Sequence, residues 1–148
     1  LHNFPDNRFD AVALLDIVKV IEKVKTAILP DVIFTHYEND LNIDHQLTYK
    51  AVNVATRPMR GETVKEIYSF KILSSTDWSF SKDFRPDVFY DISDTVALKL
   101  EAAQIYEKEL REFPHPRSLQ GIDIDARYWG MACGFKYAEA FKSVRIIK

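Results

Sequence analysis

Two prolines, Pro30 and Pro58, bracket the stretch that most constrains what this chain can fold into. Ahead of Pro30, residues 11–29 place Leu14, Val18, Ile21, Val24 and Ile28 three and four apart, with Lys19, Glu22, Lys23 and Lys25 between them. That spacing predicts an amphipathic helix, which the proline then stops. "DVIFTH" follows, short, β-branched and aromatic, as a buried strand would be. After a polar loop, "DHQLTYKAVNVATR" returns to helical spacing through Leu47, Ala51 and Val54 until Pro58. Helix, strand, loop and helix in this order is the grammar of a parallel α/β sheet. In such sheets ligands gather at the carboxyl ends of strands. The loop at that place is "THYENDLNIDHQ", residues 35–46, with two histidines, three carboxylates and two asparagines.

The rest of the chain extends the pattern. "VKEIYSFKIL" alternates Tyr68, Phe70 and Ile72 with Ser69 and Lys71, which predicts a half-buried strand. "SSTDWSFSKDFRP" reads as a loop with embedded aromatics, and "DVFYDI" as a short strand. Val96, Leu100, Ala103, Tyr106 and Leu110 form one stripe of a helix capped by Ser93 or Asp94. "REFPHPRS" is a second loop, residues 119–140 are helical again, and "SVRIIK" is a final strand. No repeat, low-complexity tract or linker interrupts the chain, so the expectation is one compact domain over residues 1–148.

Composition narrows the function classes. The 148 residues are 47% hydrophobic, enough for a real core. A net charge of −2 gives no electrostatic case for nucleic acid or an anionic membrane. No apolar run reaches the roughly 20 residues that span a bilayer. A single cysteine, Cys133, excludes an internal disulfide framework and a cysteine-based zinc cluster, and suits a reducing cytoplasm.

The chemistry concentrates in residues 35–46. His45 beside Asp44 suits a metal ligand with a neighbouring carboxylate that orients an imidazole or handles protons. A helix N-terminus also favours a developing oxyanion. The plainer alternative is that Asn42 or Asp44 caps the helix and His45 sits in its first turn. Here "PDVIFTHYENDLNIDHQLTYKAVNVATRP" resembles the second signature of the PIG-L/LmbE-like zinc-dependent N-acetylglucosaminyl deacetylases. "SFKILSSTDW", "FRPDVFYDI", "YEKELREFPHPRS" and "GFKYAEAF" continue the resemblance through a sugar-modifying bacterial branch.

The resemblance implies a Rossmann-like, mostly parallel sheet flanked by helices, and hydrolysis of an N-acetyl group by a zinc-activated water. It implies His45 as the zinc ligand and Asp44 as its orienting partner. Asn42 stands where several family members place a histidine, so an oxyanion donor there cannot shuttle a proton; His36 is the substitute. The family's His-Pro-Asp-Asp motif, which supplies two ligands and the base, has no counterpart in the chain. The expectation is therefore a domain lacking its first strand–helix portion and inactive alone, completed by an N-terminal fragment, with a homo-oligomer also admitted. Within "PHPRS", His115, Arg117 and Ser118 are candidates for substrate contact, the alternative being a turn in which Arg117 pairs with a surface carboxylate.

Three further features are read structurally. Arg57 is expected in a core ion pair or complementing a helix C-terminus. Trp78 is expected as a buried anchor rather than a sugar-stacking ring. Gly130 and Gly134 are expected to allow close helix packing. The function these readings imply is removal of the acetyl group from an N-acetylated amino sugar; the alternative is a non-catalytic carbohydrate-binding or assembly domain on the same fold.

Overall fold

The computed structural model describes residues 3–80 and 83–148. Leu1 and His2 of the N-terminal stretch, and Ser81 and Lys82 of the aromatic loop, lie outside the described residues. The chain divides into two compact units, one of residues up to Arg85 with Lys142–Lys148, the other Pro86–Phe141.

In the first unit a 3-10 turn, Phe9–Ala11, leads into helix α1, Leu14–Ile28. Only the first part of the apolar stripe read from the sequence packs: α1 buries Val18, and Ile17 beside the stripe, against Ala51 and Ala55 of helix α2, Ile43–Ala55, with Leu14 and Ile21 partly buried there, while Val24 and Ile28 are exposed. α1 ends when Leu29 takes a left-handed conformation at φ 52° and donates its N–H to the Lys25 carbonyl, a geometry that glycine more commonly supplies. Strand β1, Val32–His36, pairs parallel with β2, Glu66–Phe70, from Val32 opposite Glu66 to His36 opposite Phe70. Val52, Val64 and Ile67 form a second buried cluster with Ile33 and Val144 against it. Ile67, Tyr68 and Ser69 are all buried, so β2 is covered on both faces rather than half-buried as its alternation suggests. It lies between β1 and the end of strand β4, Ala138–Ile146, and its Ile67 packs in the cluster with Val52 of α2.

The second unit contains strand β3, Val88–Asp91, helix α3, Val96–Ile105, and helix α4, Leu119–Cys133. β3 pairs antiparallel with the start of β4, Phe89 opposite Ala140; such an antiparallel strand is a common addition to α/β sheets. Val96, Ala126 and Tyr137 make the buried cluster. α3 stops five residues before Leu110 because Ile105 and Tyr106 face solvent and no packing prolongs it. Its N-cap is Thr95, without a side-chain cap bond, not Ser93 or Asp94. α4 ends well short of residue 140: Gly134, at φ 86°, is a left-handed cap, and the Gly134 and Phe135 N–H groups both donate to the Gly130 carbonyl. Gly130 lies against the backbone of residues 135–137, where a Cβ would come within 2.8 Å of the Phe135 carbonyl oxygen. The two glycines thus build a helix-to-strand turn, not a helix–helix contact. Among the described residues no helix is long and apolar enough to cross a membrane.

Candidate functional site

β1 delivers His36 at its carboxyl end, and seven residues later the chain enters α2. Asn42 is the N-cap: its side-chain oxygen accepts the Asp44 N–H at 2.8 Å, and its Nδ2 donates to Asn7 Oδ1 at 3.0 Å. The capping alternative therefore holds for Asn42, whose donor is engaged with the N-terminal loop. Asp44 is buried, and its carboxylate accepts the backbone N–H groups of Asn7 at 2.7 Å and Phe9 at 2.9 Å. Both its oxygens are turned to the segment before α1. The orienting contact expected of Asp44 is made by another residue.

That residue is Asp40, which the sequence alone does not single out. It is 1% exposed. Its Oδ1 accepts the Asn42 N–H at 2.8 Å and faces His45 Nδ1 at 3.0 Å; its Oδ2 accepts the Ser75 hydroxyl at 2.9 Å and the Thr76 hydroxyl at 2.5 Å. Burial by itself would raise the carboxyl pKa, but the hydrogen bonds from His45, Thr76, the Asn42 N–H and Ser75 together hold it below the usual carboxylate value. Opposite an ionised carboxylate, His45 Nδ1 is the donor. The i to i+2 spacing of Asp40 and Asn42 is a legible Asx-turn signal. The Ser75 and Thr76 partners carry no such local signal.

The rings of His36 and His45 stack, 4.2 Å between centroids and 13° from parallel, with Phe70 5.1 Å from His36 on its neighbouring strand. Burial first, then the proximity of His45, lowers the His36 pKa to about 4, against a smaller opposing pull from Asp40. His36 is therefore a neutral imidazole at neutral pH. It lacks the proton that an acid acting on an oxyanion would carry. Buried His36 Nδ1 and Thr35 Oγ1 have no hydrogen-bond partner among the described residues.

The fit of this loop to zinc is partial. His45 is held in one direction by its Nδ1 contact with Asp40, as a zinc-ligating imidazole commonly is. Among the described residues no group of three or more His, Cys, Asp or Glu side chains could hold a metal ion.

His115, Arg117 and Ser118 belong to the second unit. Ser118 caps α4, its hydroxyl oxygen accepting the Gly121 N–H at 2.9 Å. The Arg117 N–H donates to His115 Nδ1 at 3.0 Å, and the Arg117 guanidinium pairs with Glu109 at 2.7 Å. The helix-connecting turn with a surface ion pair describes these contacts. Trp78, at 44% exposure, is not the buried anchor that its sequence context suggests. Arg57 is exposed beyond the α2 C-cap Thr56 and lines a cleft of about 390 Å³ with Lys25, Met59, Arg60 and Glu62. That cleft lies at the opposite end of α2 from His45 and shares no residue with the 35–46 loop.

No protein-family model matches the chain, and no curated protein does. Solved structures do. The conserved protein TT1542 from Thermus thermophilus superposes with a TM-score of 0.75 at 19% identity over 99% of this chain and 65% of that one. N,N'-diacetylchitobiose deacetylase from Pyrococcus horikoshii gives 0.70 at 17% identity, over 97% and 55%. The zinc-inhibited form of teicoplanin deacetylase Orf2 gives 0.68 at 17%, over 98% and 56%. The chain thus spans between 55% and 65% of the length of these structures and shares their α/β fold.

Proposed function

We propose that this chain is part of a zinc-dependent deacetylase that hydrolyses the N-acetyl group of an amino sugar or sugar conjugate. The observation that carries the reading is His45, held through Nδ1 by buried Asp40 at a helix start, on a fold shared with a diacetylchitobiose deacetylase and a teicoplanin deacetylase. In the reaction, water adds to the acetyl carbonyl, the C–N bond breaks, and acetate and a free amine leave. Zinc, when bound, activates water and polarises the amide carbonyl.

The chain's own residues divide the remaining work. His45 offers Nε2 as a ligand. Neutral His36, packed on its face, forms a flat wall that limits how the His45 ring can tilt. Asn42 and Asp44 secure the first turn of α2 and the segment that crosses it, and Asn42 Nδ2 reaches an oxyanion only if it leaves Asn7. The other zinc ligands and the base come from outside the described residues, from a further segment or a partner chain. His115, Arg117 and Ser118 remain the proposed substrate contacts, with Arg117 exchanging Glu109 for a sugar hydroxyl or acidic group.

The test is acetate release. The full-length protein, loaded with zinc, is expected to release acetate from at least one of a panel of N-acetylglucosamine conjugates, and His45→Ala is expected to abolish both turnover and zinc retention. Sugar binding without acetate release in the zinc-loaded protein would support a carbohydrate-binding domain instead.

A further inference from the structure

We infer that Asp40 is the positioning residue of this site: its carboxylate fixes the tautomer and direction of the His45 ring and ties both to the loop that follows β2. The inference deepens the reading of His45 as a zinc ligand and rests on it for its consequence, though not for its geometry.

Four donors converge on one fully buried carboxylate. Oδ1 receives the Asn42 N–H and His45 Nδ1; Oδ2 receives the hydroxyls of Ser75 and Thr76. Such a carboxylate, satisfied on both oxygens, is a fixed negative charge rather than a mobile one. It cannot donate to His45, so His45 donates to it from Nδ1, and the neutral form of a ring so held carries its lone pair on Nε2. The hydrogen bond sets the ring's rotation, while the stacked His36 ring at 4.2 Å restrains its tilt. The adjacent acid cannot substitute, since Asp44 is occupied by the Asn7 and Phe9 N–H groups.

The anchoring continues beyond the carboxylate. Thr76 Oγ1, while donating to Asp40, accepts the Ile72 N–H at 2.8 Å, and the Leu41 N–H donates to the Ser75 carbonyl at 3.1 Å. The 72–76 turn and the 40–45 turn are thus joined at two points around one charge. Displacing either hydroxyl loosens the carboxylate that holds His45.

The experiment compares the full-length, metal-free protein with Asp40→Ala, Asp40→Asn and Thr76→Val. In ¹⁵N-histidine-labelled wild type, long-range ¹H–¹⁵N spectra are expected to show His45 as the Nδ1–H tautomer, and in Asp40→Ala a shift towards Nε2–H. Zinc affinity, read by competition with a chromophoric chelator, is expected to fall about 10- to 100-fold in Asp40→Ala, the usual loss when the partner of a ligating imidazole is removed. Thr76→Val keeps the charge and the Nδ1–H tautomer and is expected to lose only a few-fold. An unchanged tautomer and unchanged affinity in a folded Asp40→Ala overturn the inference. If Asp40→Ala does not fold, the wild type itself decides: Asp40→Asn keeps an acceptor and is expected to keep the Nδ1–H tautomer, and a wild-type His45 found as Nε2–H is equally fatal. Failure of the wild type to bind zinc would sink the functional reading alone, because the tautomer comparison needs no metal.

Discussion

An imidazole that is to bind a metal in a fixed geometry must be neutral, in one tautomer, and unable to swing. Two residues restrain the His45 ring in different ways, Asp40 by a hydrogen bond and His36 by a stacked ring. His36 has a measurable cost under acid. Its folded pKa of about 4 lies below its ordinary value of 6.5. Above pH 6.5 neither the folded nor the unfolded chain protonates it and it has no effect on stability. As the pH falls from 6.5 towards 4, only the unfolded chain takes up the proton, so stability is lost over that window. Metal-free His36→Phe, which keeps an aromatic face for His45, is expected to show a smaller drop in urea midpoint between about pH 7 and about pH 5 than the wild type; equal drops would contradict it. At this scale the sequence exposed His45 and His36 because both lie in one short crowded stretch. It did not expose Asp40, because the hydroxyls that reveal its role are 35 and 36 positions away.

Elements in this chain are decided at their ends. Asn42 caps α2 by accepting the Asp44 N–H, and Asn42→Ala is expected to cost about 1 kcal/mol in urea unfolding, with Asn42→Asp largely restoring it. A cost within error for the alanine variant would mean that the cap bond contributes nothing. Gly134→Ala forces a Cβ into a left-handed position and is expected to destabilise by about 1 kcal/mol or more, although open space surrounds that atom. The helices and strands themselves were legible from periodicity, α1 and α2 to within three residues. What periodicity missed was the switch from α4 to β4: "GFKYAEAF" carries apolar residues at spacings compatible with a helix, and the turn built by Gly130 and Gly134, with the pairing of β4 to β3, decides against it. β2 was misread for the complementary reason, because alternation says which side chains share a face but not whether the second face is covered.

For the molecule as a whole, the α/β class followed from the order of helix, strand, loop and helix, and each unit buries its own apolar cluster. A ligand that binds only the folded state raises stability by about 2.7 kcal/mol at a hundredfold excess over its Kd. Saturating zinc is therefore expected to raise the melting temperature of the full-length protein, and His45→Ala to remove the rise; an equal rise in both would place the metal elsewhere. One contact also bears on the order of events in folding. Asp44 clasps Asn7 and Phe9 across 37 and 35 positions, closing a loop that contains all of α1 and β1. Closing so long a loop costs entropy that the docking of α1 on α2 offsets, so the clasp is expected to form after the rate-limiting barrier. Hydrogen bonds to a charged group are worth about 1.5–3 kcal/mol, and their loss should appear almost wholly in the unfolding arm. In stopped-flow measurements Asp44→Ala is expected to unfold about tenfold faster or more and to fold at the wild-type rate. The acid that sits beside the candidate ligand would then govern how long the native state lasts, not how quickly it is reached.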